Sequence, residues 1–175
     1  MKNILTKEDP RWEFLSSRGV DKDLIVRLND MGFFSAPASS THHLSYTGGL
    51  FDHSVNVYMQ LEGLTRDLSL SWEREESPFV VGMFHDLCKC DNYKLQGGIW
   101  LKDDPIIKGH GSKSVILLSS LMRLTEEEAY CIRFHMGAYE TEDWDSYSKA
   151  IKKYPNVLWT HTADMIASQI KEVGD

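Results

Sequence analysis

The stretch Val80–Cys90, VVGMFHDLCKC, is an apolar run that stops at a histidine and an aspartate and meets a lysine three residues after the aspartate. The apolar residues before His85 suit a buried helix. His85 and Asp86 bring an imidazole nitrogen and a carboxylate, donor types that divalent transition metals accept. A single pair of this kind also occurs as a hydrogen-bonded cap on a buried helix, so its meaning depends on what the rest of the chain supplies.

Working back towards the N-terminus, Ser77 and Pro78 read as the cap and first-position proline of the helix that carries the pair. Before a polar segment, Ser69 to Glu76, another helix starts near Leu50 with Asp52 as its cap. Its residues Val57, Leu61, Leu64 and Leu68 recur at steps of four, three and four, a core-facing stripe. His53 lies four residues before Val57 and shares its side. The Ser, Thr, Pro and Gly of Ser35 to Gly49, with His42 and His43 among them, read as a loop. Farther back, Asp21 and Gly32 bracket a helix with Leu24, Ile25 and Leu28 at helical spacing, and Pro10 to Arg18 reads as a short helical lead-in.

Towards the C-terminus, Tyr93 to Leu95 and Ile99 to Leu101 flank Gln96-Gly97-Gly98, the pattern of a short hairpin. Asp103-Asp104-Pro105 reads as a turn. Gly109-His110-Gly111 opens a helix whose apolar run, Val115 to Leu124, is long enough to be buried. Thr125 and Glu128 form a capping box for the next helix, which carries Tyr130, Ile132 and Phe134 up to His135 and closes at Gly137. Arg133, two residues from His135, is about 200° round the helix and points elsewhere. A last helix runs from Ser148 or Tyr154 to Glu172, bent at Pro155, with His161 and Asp164 one turn apart. The expected class is all-α: at least five core helices and one short hairpin.

Length and composition bound the function. A chain of 175 residues with 42% apolar residues and no repeat fits one domain with its own core. No apolar run approaches the roughly 20 residues of a membrane helix. Cys88, Cys90 and Cys131 form no CxxC pair, which disfavours a disulfide framework and a thiolate zinc site and points to a reducing, cytoplasmic setting. A net charge of −7 argues against a duplex DNA footprint and leaves small substrates or short single strands.

Successive helices each carry a histidine or aspartate near one end: His53, His85 with Asp86, His110, His135 and Asp164. The intervals of 32, 25, 25 and 29 residues fit one helix plus its connection each, so antiparallel packing can gather these ends, as in the metal sites of helical bundles.

With the phrases HHLSYTGGLFDHS, FHDLCK, GHGSKS, IRFHMG and HTADMIAS in this order, the chain resembles the HD superfamily of metal-dependent phosphohydrolases. The double histidine six residues before Gly48 is similar to the HD domains of bacterial exoribonucleases and of phage-encoded HD proteins. The resemblance spans residues 36–171 as an HD core behind a lead-in of residues 1–35. It implies a first metal held by His53, His85, Asp86 and Asp164, and a second held by His110 and His135 with Asp86 bridging. Two divalent ions of manganese, iron, cobalt, nickel or zinc are thereby implied as cofactors, with a small phosphate ester, nucleotide or short oligonucleotide as substrate. The doublet departs from the frequent HDIGK form in having Leu87-Cys88 before Lys89.

Asp86 and Lys89 are the candidate catalytic residues, Lys89 as a phosphate or leaving-group contact. Lys113, His43 and His161 are candidate substrate contacts, while His42 and the Cys88/Cys90 pair read as structural. Two other activities remain compatible with the pattern: a di-iron oxygenase of the same superfamily, and a catalytically silent nucleotide-binding module.

Overall fold

The structure, a computed structural model, describes residues 5–103, 106–137 and 144–173. It is mostly helical. In chain order the elements are α1 (Pro10–Ser17), α2 (Lys22–Met31), α3 (Gly49–Asp67), α4 (Ser77–Phe84), β1 (Tyr93–Gln96), β2 (Ile99–Lys102), α5 (His110–Ser119), α6 (Glu126–Arg133), α7 (Trp144–Lys153) and α8 (Asn156–Ile166). The strands pair antiparallel, Tyr93 opposite Lys102 and Gln96 opposite Ile99, and turn at Gly97-Gly98. Of the turn expected at Asp103-Asp104-Pro105, the last two residues lie outside the described ones.

Local chemistry sets several of these boundaries. The Asp21 side chain accepts from the Asp23 N–H, and Gly32 closes α2 in the left-handed region at φ 101°. At α6 the Thr125 hydroxyl accepts from the Glu128 N–H (3.2 Å), while the Glu128 carboxylate accepts from the Thr125 N–H (2.9 Å), which pairs two otherwise orphaned donors.

Several boundaries differ from the sequence reading, among them the end of α6, which stops at Arg133 rather than closing at Gly137. Gly48, left-handed at φ 97°, caps α3; Asp52 sits inside the first turn and accepts from the Tyr46 hydroxyl at 2.7 Å. Ser77 is the first residue of α4, and its hydroxyl donates to Glu128 Oε1 at 2.9 Å. The apolar run Val115 to Leu124 is not one buried helix, since α5 ends at Ser119 and Ile116 is exposed. The last helical region is split at Pro155, because a proline lacks the N–H that would continue α7. It continues past α8 as a π-helical stretch, Ala167–Lys171.

The core is centred on α4, every residue of which is buried, as expected for a helix apolar on all sides. Helix α3 packs against α4 and α8, and α6 against α4, α5 and α8. Gly82 lets α4 press onto α3: a Cβ there would stand 2.5 Å from Tyr58 Cα. Gly111 does the same between α5 and α6, where a Cβ would meet the Arg133 carbonyl oxygen at 2.1 Å. No helix among the described residues is long and apolar enough to cross a membrane.

Candidate metal centre

The doublet leaves the C-terminal end of α4 and enters a 3₁₀ turn, Leu87–Asp91. The encased helix thus delivers Asp86 to the middle of the core, where it is 2% exposed. His53 comes from the N-terminal part of α3, His110 from the start of α5, His135 from the turn two residues past α6 and Asp164 from α8. The close α5–α6 contact at Gly111 is what draws His110 towards His135.

The two oxygens of Asp86 face different partners. Oδ2 lies 3.6 Å from His53 Nε2, 3.5 Å from His85 Nε2 and 2.6 Å from Lys89 Nζ. Oδ1 lies 3.4 Å from His135 Nε2 and 3.9 Å from His110 Nδ1. Asp164 Oδ1 closes the first side at 3.3 Å from His53 Nε2. The histidine separations, 3.3 to 3.9 Å, exceed most hydrogen bonds and suit donor atoms spread around an ion.

Hydrogen bonds on the far side of each ring fix which nitrogen faces the aspartate. His85 Nδ1 donates to the Gly82 carbonyl (2.9 Å) and His135 Nδ1 to the Ile132 carbonyl (2.7 Å). A carbonyl only accepts, so each neutral ring presents an Nε2 lone pair to the centre. Both Nε2 atoms are buried without a hydrogen-bond partner, a state that costs about 1–3 kcal/mol per group. His53 Nδ1 donates to the Glu172 carboxylate at 3.0 and 3.1 Å, and Asn56 holds that carboxylate at 2.9 Å. Carboxylate–histidine pairs of this kind orient metal-binding imidazoles.

Protonation follows the same geometry. Burial alone pushes His53 down, but hydrogen bonds to Asp164 and Glu172 overcome it and raise its pKa to about 9. Burial holds His85 below the ordinary histidine value. Burial opposes ionisation of Asp86 and Asp164 too, yet Lys89 and His85 around the first, and His53 beside the second, keep both well below the ordinary carboxylate range. Burial also opposes protonation of His135, but the Asp86 carboxylate beside it raises its pKa. Three carboxylates therefore meet Lys89 and the charge of His53, with His135 drawn towards protonation. A buried cluster with that excess of negative charge, with two imidazole lone pairs turned inward, fits a divalent cation.

The structure brings His53, His85, Asp86, His135 and Asp164 together, with His110 at the edge. Lys89 is buried against Asp86 and also lines an adjoining cleft of about 310 Å³, with His43, His161, Met136 and Met165. His43 stacks near His53, ring centroids 5.1 Å apart. His161 Nδ1 donates to the His135 carbonyl at 2.7 Å. Lys113 is not brought to this cleft: its ammonium, 3% exposed, donates to Asn92 Oδ1 at 2.8 Å and pairs with Asp91 beneath the hairpin. The Arg133 guanidinium lies over the Phe134 ring, away from the centre.

Two members of the cluster were not singled out in the sequence. Cys88, read as structural, is wholly buried with Sγ 3.3 Å from His110 Nδ1. Glu172 stands eight residues after Asp164, about 80° round an ideal α-helix. The π-helical stretch, with the Glu172 N–H bonded to the Ala167 carbonyl five residues back at 3.0 Å, swings it onto His53. Its signal was the step of four through Asp164, Ser168 and Glu172. Among the described residues, His53/His85/Asp86, His85/His135/Asp164, Asp86/Cys88/His110 and His43/His53/Glu172 are each grouped closely enough to hold a metal ion.

Set against known proteins, the chain matches no family model, no curated protein and no solved structure. A wider cleft of about 550 Å³, lined by Val115, Ile116, Tyr130 and Phe134, takes in none of these metal-binding groups, so the chemistry points to the smaller cleft.

Proposed function

We propose that this protein is a two-metal phosphohydrolase of the HD type, acting on a small phosphate ester, a nucleotide or a short single-stranded oligonucleotide. The observation that carries the reading is Asp86, buried between two sets of imidazole nitrogens with one carboxylate oxygen turned to each. His53, His85, Asp86 and Asp164 would hold one ion, and Asp86, His110 and His135 the other. When bound, such ions supply Lewis acidity towards a phosphoryl oxygen and activate water at neutral pH.

The remaining roles belong to the protein. Asp86, short of protons, shares its charge between both sides. Glu172 keeps the His53 ring in its tautomer and orientation. Lys89, held on Asp86 and facing the cleft, is the cation for the phosphate oxygens once its carboxylate is shared with metal. His161, with Nδ1–H committed to the His135 carbonyl, has its other nitrogen left as an acceptor for a substrate hydroxyl, and His43 lies across the same cleft. A cleft of about 310 Å³ is at the small end of ligand sites and favours a mononucleotide-sized group. The net charge of −7 is consistent with a substrate held at a local cationic centre rather than along a basic surface.

The test is anaerobic turnover. With manganese, or another redox-quiet divalent ion such as zinc, added, the purified protein is expected to release phosphate or cleave a phosphodiester from a panel of nucleotides and short oligonucleotides in the absence of oxygen. Strict dependence on iron and oxygen would establish the oxygenase instead, and nucleotide binding without turnover under any metal would establish a silent module.

A further inference from the structure

We infer that Cys88 is a sulfur ligand of the ion on the His110–His135 side of Asp86, which makes that position a mixed sulfur, nitrogen and oxygen site. The inference rests on the two-metal reading above. The His53–His85 side offers nitrogen and oxygen alone, so the two positions differ in softness and select different metals.

The geometry is local to the doublet and its packing. Cys88 Sγ lies 3.3 Å from His110 Nδ1 and 4.0 Å from Asp86 Oδ1. Metal–sulfur bonds of about 2.3 Å and metal–nitrogen bonds of about 2.1 Å place tetrahedral ligand atoms about 3.6 Å apart. The three donor atoms therefore stand close to what one ion requires. Position is fixed from both sides: the Cys88 N–H donates to the Ser114 hydroxyl of α5 at 3.1 Å, and Gly111 holds the start of α5 against α6. Asp86, Cys88 and His110 are grouped closely enough to hold one ion, and His135 Nε2 lies 3.4 Å from the same carboxylate oxygen. A sulfur donor in this set suits zinc, cobalt or ferrous iron and disfavours magnesium or manganese there. On ligation the Cys88 S–H bond breaks, its proton passes to the buffer and a sulfur–metal bond forms, with no change of oxidation state.

Cobalt(II) alone is the probe. The metal-free protein is titrated with it and the bound ions are counted, while sulfur-to-cobalt charge-transfer absorption is followed in the near ultraviolet. The expected result is two ions per chain with a sulfur band that vanishes in Cys88→Ala and Cys88→Ser and persists in Cys90→Ser. Two ions with no sulfur band, or a band that survives Cys88→Ala, overturns the inference and leaves the two-metal reading standing. Fewer than two ions overturns the two-metal reading itself, whatever the band does. Because a substitution at a buried cysteine can unfold the protein, X-ray absorption of the cobalt-loaded wild type gives the same answer without a variant: a sulfur neighbour supports the ligand, and nitrogen and oxygen neighbours alone refute it.

Discussion

Replacing Glu172 with glutamine isolates what a carboxylate behind His53 does. In the protein both oxygens accept from His53 Nδ1, at 3.1 and 3.0 Å, and Oε1 also accepts from Asn56. The best placement of a glutamine keeps its oxygen where Oε1 is, serving both donors. Its NH₂ then occupies the Oε2 position and faces the same His53 N–H, donor against donor. Loss of such a supporting partner weakens metal binding by about 10- to 100-fold, or about 1.4–2.7 kcal/mol. The loss should fall on the ion served by His53 and spare the one beside His110 and His135. A second effect opposes it. With a His53 pKa of about 9, a proton competes with metal at Nε2, weakening binding at pH 7 by roughly 100-fold. Glutamine lowers that pKa and relieves part of the competition. Metal affinity measured by chelator-dye competition should therefore differ most between wild type and Glu172→Gln at pH 9 and least at pH 7. Equal loss at both ions, or a larger difference at pH 7, would refute the reasoning.

Lys89→Met removes the cation 2.6 Å from Asp86 and should destabilise the metal-free protein by about 3–5 kcal/mol in denaturant unfolding. Metal should bind that variant at least as tightly, while phosphate-ester turnover drops by about 10²-fold. The raised His53 pKa contributes stability that is full below pH 6.5 and is lost as pH rises through about 9. The depressed Asp86 and Asp164 contribute stability present above the ordinary carboxylate range and lost on acidification. Burial lowers His85, which costs stability as pH falls below about 6.5, so the melting temperature of the metal-free protein should be highest near about pH 6.5 and fall both towards pH 9 and on acidification. Gly111→Ala would set a Cβ 2.1 Å from the Arg133 carbonyl oxygen; parting α5 from α6 should cost about 1–3 kcal/mol and lower the metal count on the His110 side, read by calorimetry and metal analysis.

Where a side chain acts on its own backbone, the sequence was readable. Asp21, Gly32 and the Thr125–Glu128 box satisfy helix ends within a few residues, and Gly97-Gly98 turns a hairpin whose strands adjoin it. The gathering of His53, His85, Asp86, His135 and Asp164 was also legible, because each sits at one helix end and the intervals are those of a helix and its return. Readings failed where a distant partner decides. Lys113 looked free to meet substrate, one turn after His110, but Asp91 and Asn92 reach it from the segment before the hairpin. Asp52 looked like a cap until Gly48 supplied the left-handed turn one residue before α3. Cys88 is as buried as core filling requires; its approach to His110 had no signal in its neighbours, since only the packing of α5 lays His110 against it.

The wide turn at Ala167–Lys171 makes the length of this segment matter more than its composition. An exchange such as Ile170→Leu, at an exposed position, leaves the path of the backbone alone. Removing one residue between Asp164 and Glu172 lets the segment relax to ordinary helical pitch, with seven residues at about 100° each. Glu172 would then sit about 20° short of Asp164 around the axis and one residue's rise, about 1.5 Å, nearer to it, no longer level with the Nδ1 edge of His53. Related chains should therefore tolerate substitutions in this segment and resist insertions or deletions.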